Sequence, residues 1–133
     1  MKPKLVCYVD LDFGDGTYHF SLPMTQLEEL QAKTDAGPLQ LLNRLGTDEW
    51  RTQDVSETIR LGLIGGGKTP LEALHLVRKY VLNTPDWLSN IKIARGVLMA
   101  VIFGIEQAPN EDKTDGEILE PGSAAREDGE AAA

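Results

Sequence analysis

Ile59-Arg60-Leu61-Gly62-Leu63-Ile64-Gly65-Gly66-Gly67-Lys68-Thr69-Pro70 is the stretch on which the fold class turns. Gly62, Gly67, Lys68 and Thr69 satisfy the phosphate-loop template G-x-x-x-x-G-K-[ST] in full. In a true phosphate loop a buried strand enters the glycines, and a helix leaves them with its amides aimed at phosphate. Here Val55, Ile59 and Leu63 recur at helical spacing upstream, with Glu57 and Arg60 on the outer side. Pro70 follows the threonine and carries no amide to offer a nucleotide. The stretch therefore reads as a junction between two helices. Its glycines end the first helix in left-handed conformations and let the next pack closely. A P-loop-like nucleotide-binding enzyme stays as the lesser alternative.

Helices are expected on both sides of this junction. Downstream, Thr69 as cap and Pro70 at the first helical position open a fourth helix carrying Leu71, Leu74, Val77 and Val81. Pro85-Asp86 opens a last helix over residues 87–105. Upstream, Asp54 is placed to cap the third helix, which runs into the glycines. Gly37-Pro38 separates a helix with Met24, Leu27 and Leu30 from a short one with Leu39, Leu42 and Leu45. Thr25 and Glu28 have the spacing of a capping box for the first of these.

The N-terminus follows a different period. Leu5, Cys7, Val9, Leu11 and Phe13 alternate with Val6, Tyr8, Asp10 and Asp12, and Asp15-Gly16 is a two-residue turn signal. That turn sets Phe13 opposite Tyr18, Leu11 opposite Phe20 and Val9 opposite Leu22, giving an apolar face. Asp12 opposite His19 and Asp10 opposite Ser21 give a polar one. Pro23 ends the second strand. The expected fold class is α+β: an N-terminal antiparallel β-hairpin packed on a bundle of about five short helices, with a disordered acidic C-terminal tail.

Charge separates these parts. Residues 106–133 hold nine acids and two bases, a net of −7, whereas residues 1–105 hold twelve and eleven, a net of −1. The tail is rich in Asp, Glu, Gly, Ala and Pro, with Ile118 and Leu119 its only large apolar side chains, so it cannot offset the entropy of ordering. The domain boundary is accordingly set between a single folded domain, 1–105, and a disordered acidic tail, 106–133.

No concentrated basic face is present, so nucleic acid is not expected as a partner. The apolar run over residues 97–105 is too short for a bilayer, so no membrane partner is expected either. The single Cys7 fits a reducing compartment, and localisation defaults to the cytoplasm.

Chemistry-bearing residues do not assemble into a site. Asp12-Phe13-Gly14 spells the metal-binding tripeptide of protein kinases without room for that fold. Asp10, Asp12 and Asp15 suggest a calcium loop, but Gly14 and Ser21 stand where ligands belong. His19 and His75 have no ligand partner at metal spacing, and His19 is expected to pair with Asp12. Cys7 reads as a buried inert thiol. No catalytic residue, metal or cofactor is called for.

The last helix is apolar over most of its circumference. Trp87, Ile91, Leu98, Ile102 and Ile105 form a core stripe, Val97 and Val101 widen it, and Met99 and Phe103 lie off it. Val97, Met99 and Phe103 are the candidate partner-binding residues.

The order of parts resembles a known family. The strand pair runs into Phe20-Ser21-Leu22-Pro23-Met24-Thr25-Gln26-Leu27-Glu28-Glu29-Leu30, a helix with an acidic pair. A Leu-rich helix and the glycine run from Ile59 to Gly67 follow. Over residues 5–83 this is similar to the small gene-transfer-agent and prophage proteins of the phage tail assembly chaperone family, some of which are labelled tail tube proteins. The resemblance implies a non-enzymatic tail assembly protein, a chaperone whose partner is the tape measure or another tail protein. The alternative is a structural tail (tube) subunit. A homo-oligomer is compatible with both.

Overall fold

A computed structural model describes residues 4–83 and 86–107. The tail beyond residue 107, and Pro85 ahead of the last helix, lie outside the described residues. The described residues fall into two units, one holding residues 4–6 with 106–107 and one of residues 7–83 with 86–105. In the first, the short strand β1 (Lys4–Val6) pairs with β4 (Ile105–Gln107). The second holds the hairpin β2 (Tyr8–Phe13) and β3 (Gly16–Ser21), then the helices α1 (Met24–Thr34), α2 (Pro38–Leu45), α3 (Thr52–Gly65), α4 (Pro70–Val77) and α5 (Trp87–Phe103). The α+β class and the hairpin beside five short helices are as the sequence predicts.

The hairpin keeps its predicted faces in a different register. Phe13 pairs with Gly16, Leu11 with Tyr18, Val9 with Phe20 and Asp10 with His19. The turn thus falls on Gly14-Asp15, one residue earlier than predicted. Gly14 has φ +59°, the positive value required at the first centre of such a turn. Moving the turn by one residue shifts every pair by two, which returns each side chain to the same face. Tertiary packing supplies the reason for the choice: a Cβ on Gly14 would stand 2.5 Å from Cδ2 of Tyr80. Cys7 departs from the alternation. A bend separates β1 from β2 at this residue, and its thiol is exposed rather than buried.

Helix α3 is the centre of the larger unit and packs against α1, α4, α5 and β3. Val55, Ile59 and Leu63, the predicted stripe, are fully buried, and Thr58, Leu61 and Gly62 are buried as well. Phe20 from β3, Val81 and Leu98 complete the core around it. Asp54 is not the cap of α3. It sits one turn inside, where Oδ2 accepts from the Arg51 amide at 2.9 Å.

Arg44 joins three helices. Its Nη1 donates to Asp54 Oδ1 and to the Thr34 carbonyl, each at 3.1 Å, and its Nη2 donates to the Asp35 carbonyl at 3.3 Å. The guanidinium satisfies carbonyls at the end of α1, where Asp35 turns left-handed at φ 54°, while neutralising a carboxylate that is 1% exposed. The capping box expected from Thr25 and Glu28 does not form, because Pro23 occupies the cap position of α1.

After α4 the chain continues as a wider π-helical turn, Arg78–Leu82. This turn lays Tyr80 against Phe13, ring centres 5.8 Å apart, and Asn90 Nδ2 donates to the Tyr80 carbonyl at 3.0 Å. Helix α5 ends at Gly104, with φ 77°, so Ile105 belongs to β4 and not to the last helix. Among the described residues no helix is long and apolar enough to cross a membrane.

Candidate interaction site

The glycine junction is built for packing and has no amides left for a ligand. The amides of Gly67 and Lys68 donate back to Ile64 (3.0 Å) and Leu63 (2.9 Å), the double closure of a helix C-terminus with a left-handed residue. That residue is Gly67, at φ +117°, while Gly66 stays right-handed. Only one glycine is therefore left-handed, not the run as a whole. The Gly66 amide donates to Gly62, and the Thr69 amide to Glu72 Oε1 at 2.9 Å. The Thr69 amide, donating to the carboxylate, holds the Glu72 carboxyl below its usual range, and the Glu72 amide in turn donates to Thr69 Oγ1.

Gly65 and Gly66 serve a different purpose, close approach to β3. A Cβ on Gly66 would lie 2.6 Å from the carbonyl carbon of His19, and one on Gly65 would lie 2.6 Å from Cδ of Pro23. The neighbour that requires bare backbone is thus the hairpin, rather than the following helix. Lys68, the residue that would reach phosphates, has its Nζ 5.4 Å from the ring centre of Tyr18.

The hairpin acids are also occupied locally. His19 Nδ1 lies 2.7 Å from Asp10 Oδ1, so the histidine pairs with Asp10 and not with Asp12. Asp12 accepts from Thr17 Oγ1 at 2.7 Å, and Asp15 accepts from the Tyr18 hydroxyl. That last bond lowers the Asp15 carboxyl and pushes the Tyr18 phenol up to about 12. Among the described residues no three His, Cys, Asp or Glu side chains gather as metal ligands would.

Concavities flank the core. One of about 330 Å³ is lined by Asp12, Phe13, Tyr80, Asp86 and Asn90 among others. Another, about 500 Å³, lies where Glu29, Glu57 and Arg60 meet Leu71 and Leu74. Arg60 donates to both glutamates there, at 2.6 Å and 3.2 Å, so its charge is already balanced. In the first, Ser89 lies beside Asp86, but the carboxylate accepts from the Ser89 amide as the cap of α5.

Helix α5 presents the open surface. Of the candidate partner residues, Val97 is 1% exposed and packs in the core, whereas Met99 is 47% and Phe103 61% exposed. The structure thus does not bring the three together on one surface. Leu88, at 75%, shares the outer face, a residue the sequence reading passed over because it centred on the end of the helix. Its spacing from Met99 and Phe103 was the available signal.

A family model described as "Phage tail tube protein, GTA-gp10" matches residues 7–104, a span that takes in β2, β3 and all five helices. The chain belongs to this family. The match extends through α5, which the resemblance over residues 5–83 left out. The GTA-gp10 family is one of tail proteins and not of catalysts, in keeping with the occupied amides of the glycine junction. No curated protein and no solved structure matches the chain.

Proposed function

We propose that this chain is a structural, non-enzymatic component of a phage-type tail, a subunit of the tail tube. The observation that carries this reading is the family match, whose description names a tail tube protein and which spans the whole helical unit and its hairpin. The consumption of the glycine-run amides in helix capping supports the non-enzymatic part.

A second reading has one observation in its favour. Leu88, Met99 and Phe103 lie exposed along one helix of a small protein. Such a face suits an assembly chaperone that covers a tape measure or other tail protein before it is built in. The two readings separate by quantifying the chain in purified, finished particles against a known tail component. Retention in many copies per particle supports the tube subunit. Presence in the assembling cell with absence from finished particles supports the chaperone.

A further inference from the structure

Leu88, Lys92, Arg95, Met99 and Phe103 follow one another on α5 at steps of four, three, four and four residues. At 3.6 residues per turn such steps keep all five side chains on one stripe, roughly 22 Å long. All five are exposed, while Ile91, Ala94, Val97 and Leu98 on the opposite side are buried. The stripe is therefore apolar at both ends and cationic at its middle.

The cations are available. Among the described residues neither Lys92 nor Arg95 enters an ion pair. Arg95 Nη2 reaches the C-terminal end of α2, 3.8 Å from where a Cβ on Gly46 would stand, at the negative pole of that helix.

We propose that this stripe docks an amphipathic helix of another protein, one with acidic side chains at the middle of its contact face and large apolar ones at both ends. Charge argues for this occupant over a second copy. Pairing two whole stripes sets Arg95 beside Arg95 in either orientation, because Arg95 lies near the centre of the stripe. Like charges at a helix seam reject that partner. An acidic helix instead meets Lys92 and Arg95 with opposite charge, and its apolar ends cover Leu88 and the Met99–Phe103 pair. Met and Phe are suited to this because one adapts its shape and the other supplies rigid apolar area. The proposal rests on the reading that the chain works by binding other tail proteins, but its test uses no particle.

Two peptides of about sixteen residues, long enough at 1.5 Å per residue to span the stripe, serve as probes. Both carry Leu at the ends of one helical face, with Glu at its middle in the first and Lys in the second. Binding to the full chain is followed by fluorescence anisotropy, together with melting temperatures for every variant. The Glu peptide is expected to bind and the Lys peptide not. Phe103→Ala is expected to weaken the Glu peptide by about tenfold or more. The double reversal Lys92→Glu with Arg95→Glu is expected to exchange the preference, with a small fall in melting temperature because residue 95 faces the negative end of α2.

No binding by the Glu peptide overturns the proposal, as does equal binding of both peptides or indifference to the reversal. Two further results also overturn it: a wild-type dimer in sedimentation that Phe103→Ala dissociates, or anionic phosphatidylglycerol vesicles binding where the peptide does not. Failure here with the chain retained in finished particles removes the stripe and leaves the tail reading standing.

Discussion

The main chain of Gly66 runs against that of His19 so closely that no side chain fits between them. A Cβ at Gly66 would meet the His19 carbonyl carbon at 2.6 Å and its oxygen closer still. This approach seats the end of α3 on β3 and turns a phosphate-loop look-alike into a structural joint. Backbone cannot swing aside as a flexible side chain can. Gly66→Ala should therefore cost about 1–3 kcal/mol or more, as overpacking does. Gly16→Ala is the control, because nothing lies within 4 Å of a Cβ there and its φ is ordinary. Urea unfolding of the two variants should show a large loss for the first and a change within about 0.5 kcal/mol for the second.

The Arg44–Asp54 pair gives a second test. Asp54 is 1% exposed and its partner charge 3.1 Å away, so removing either one strands the other. Arg44→Met alone, or Asp54→Leu alone, should lose about 3–5 kcal/mol, and the double variant should recover much of that. A double-mutant cycle in urea measures the coupling. Additive losses would show that the pair does not join α2 to α3 as described.

The bond between Asp15 and Tyr18 should make stability depend on pH at both extremes, weakly because Asp15 faces solvent. The phenol is pushed up to about 12 by its bond to the carboxylate, while the same bond lowers the carboxyl. A raised tyrosine pKa contributes stability that is complete below the unfolded tyrosine value, roughly 10, and is lost as pH rises through about 12. The lowered carboxyl contributes stability present above the unfolded value of roughly 3.9, lost as pH falls through the lower folded one. Near-ultraviolet titration of Asp15→Asn should bring one phenol back toward the ordinary range. An unchanged titration would show that the Tyr18 hydroxyl has another partner.

Helix α5 should behave differently on its two sides. Leu98 is fully buried, and Leu98→Ala should cost about 2–5 kcal/mol. Phe103 is 61% exposed, and Phe103→Ala should stay within about 0.5 kcal/mol. Urea midpoints for both decide it. Comparable losses would show that Phe103 is covered within the monomer.

What the sequence could tell divides along local and distant causes. The faces of the hairpin were legible because a strand repeats every two residues, so any even shift preserves them. The turn was not, because Gly14-Asp15 and Asp15-Gly16 both serve as two-residue turns and the choice goes with Tyr80, far along the chain. Thr69 and Pro70 announced α4 through local rules alone, with Glu72 closing the box. Asp54 looked like a cap because its true partner, Arg44, lies ten residues away on another helix. The glycine run read correctly as a helix end. The reason for Gly65 and Gly66 lay in the backbone of Ser21 and His19, which no local pattern contains, while Gly67 is the left-handed residue that ends the helix. At α5 the spacing set Val97 at the edge of the core stripe and Met99 and Phe103 off it, and the fold buries the first and exposes the other two.

Whether this chain is a catalyst or an assembly component turns on the amides of residues 66–69. All four already donate to α3 carbonyls or to Glu72. A single magnetic-resonance titration reads them directly, following amide shifts and hydrogen exchange while magnesium-ATP and then magnesium-GTP are added. Protected amides with no saturable shift at residues 65–69 are the predicted result. Micromolar, saturable shifts confined to those residues, with Lys68 leaving the Tyr18 ring, would contradict it.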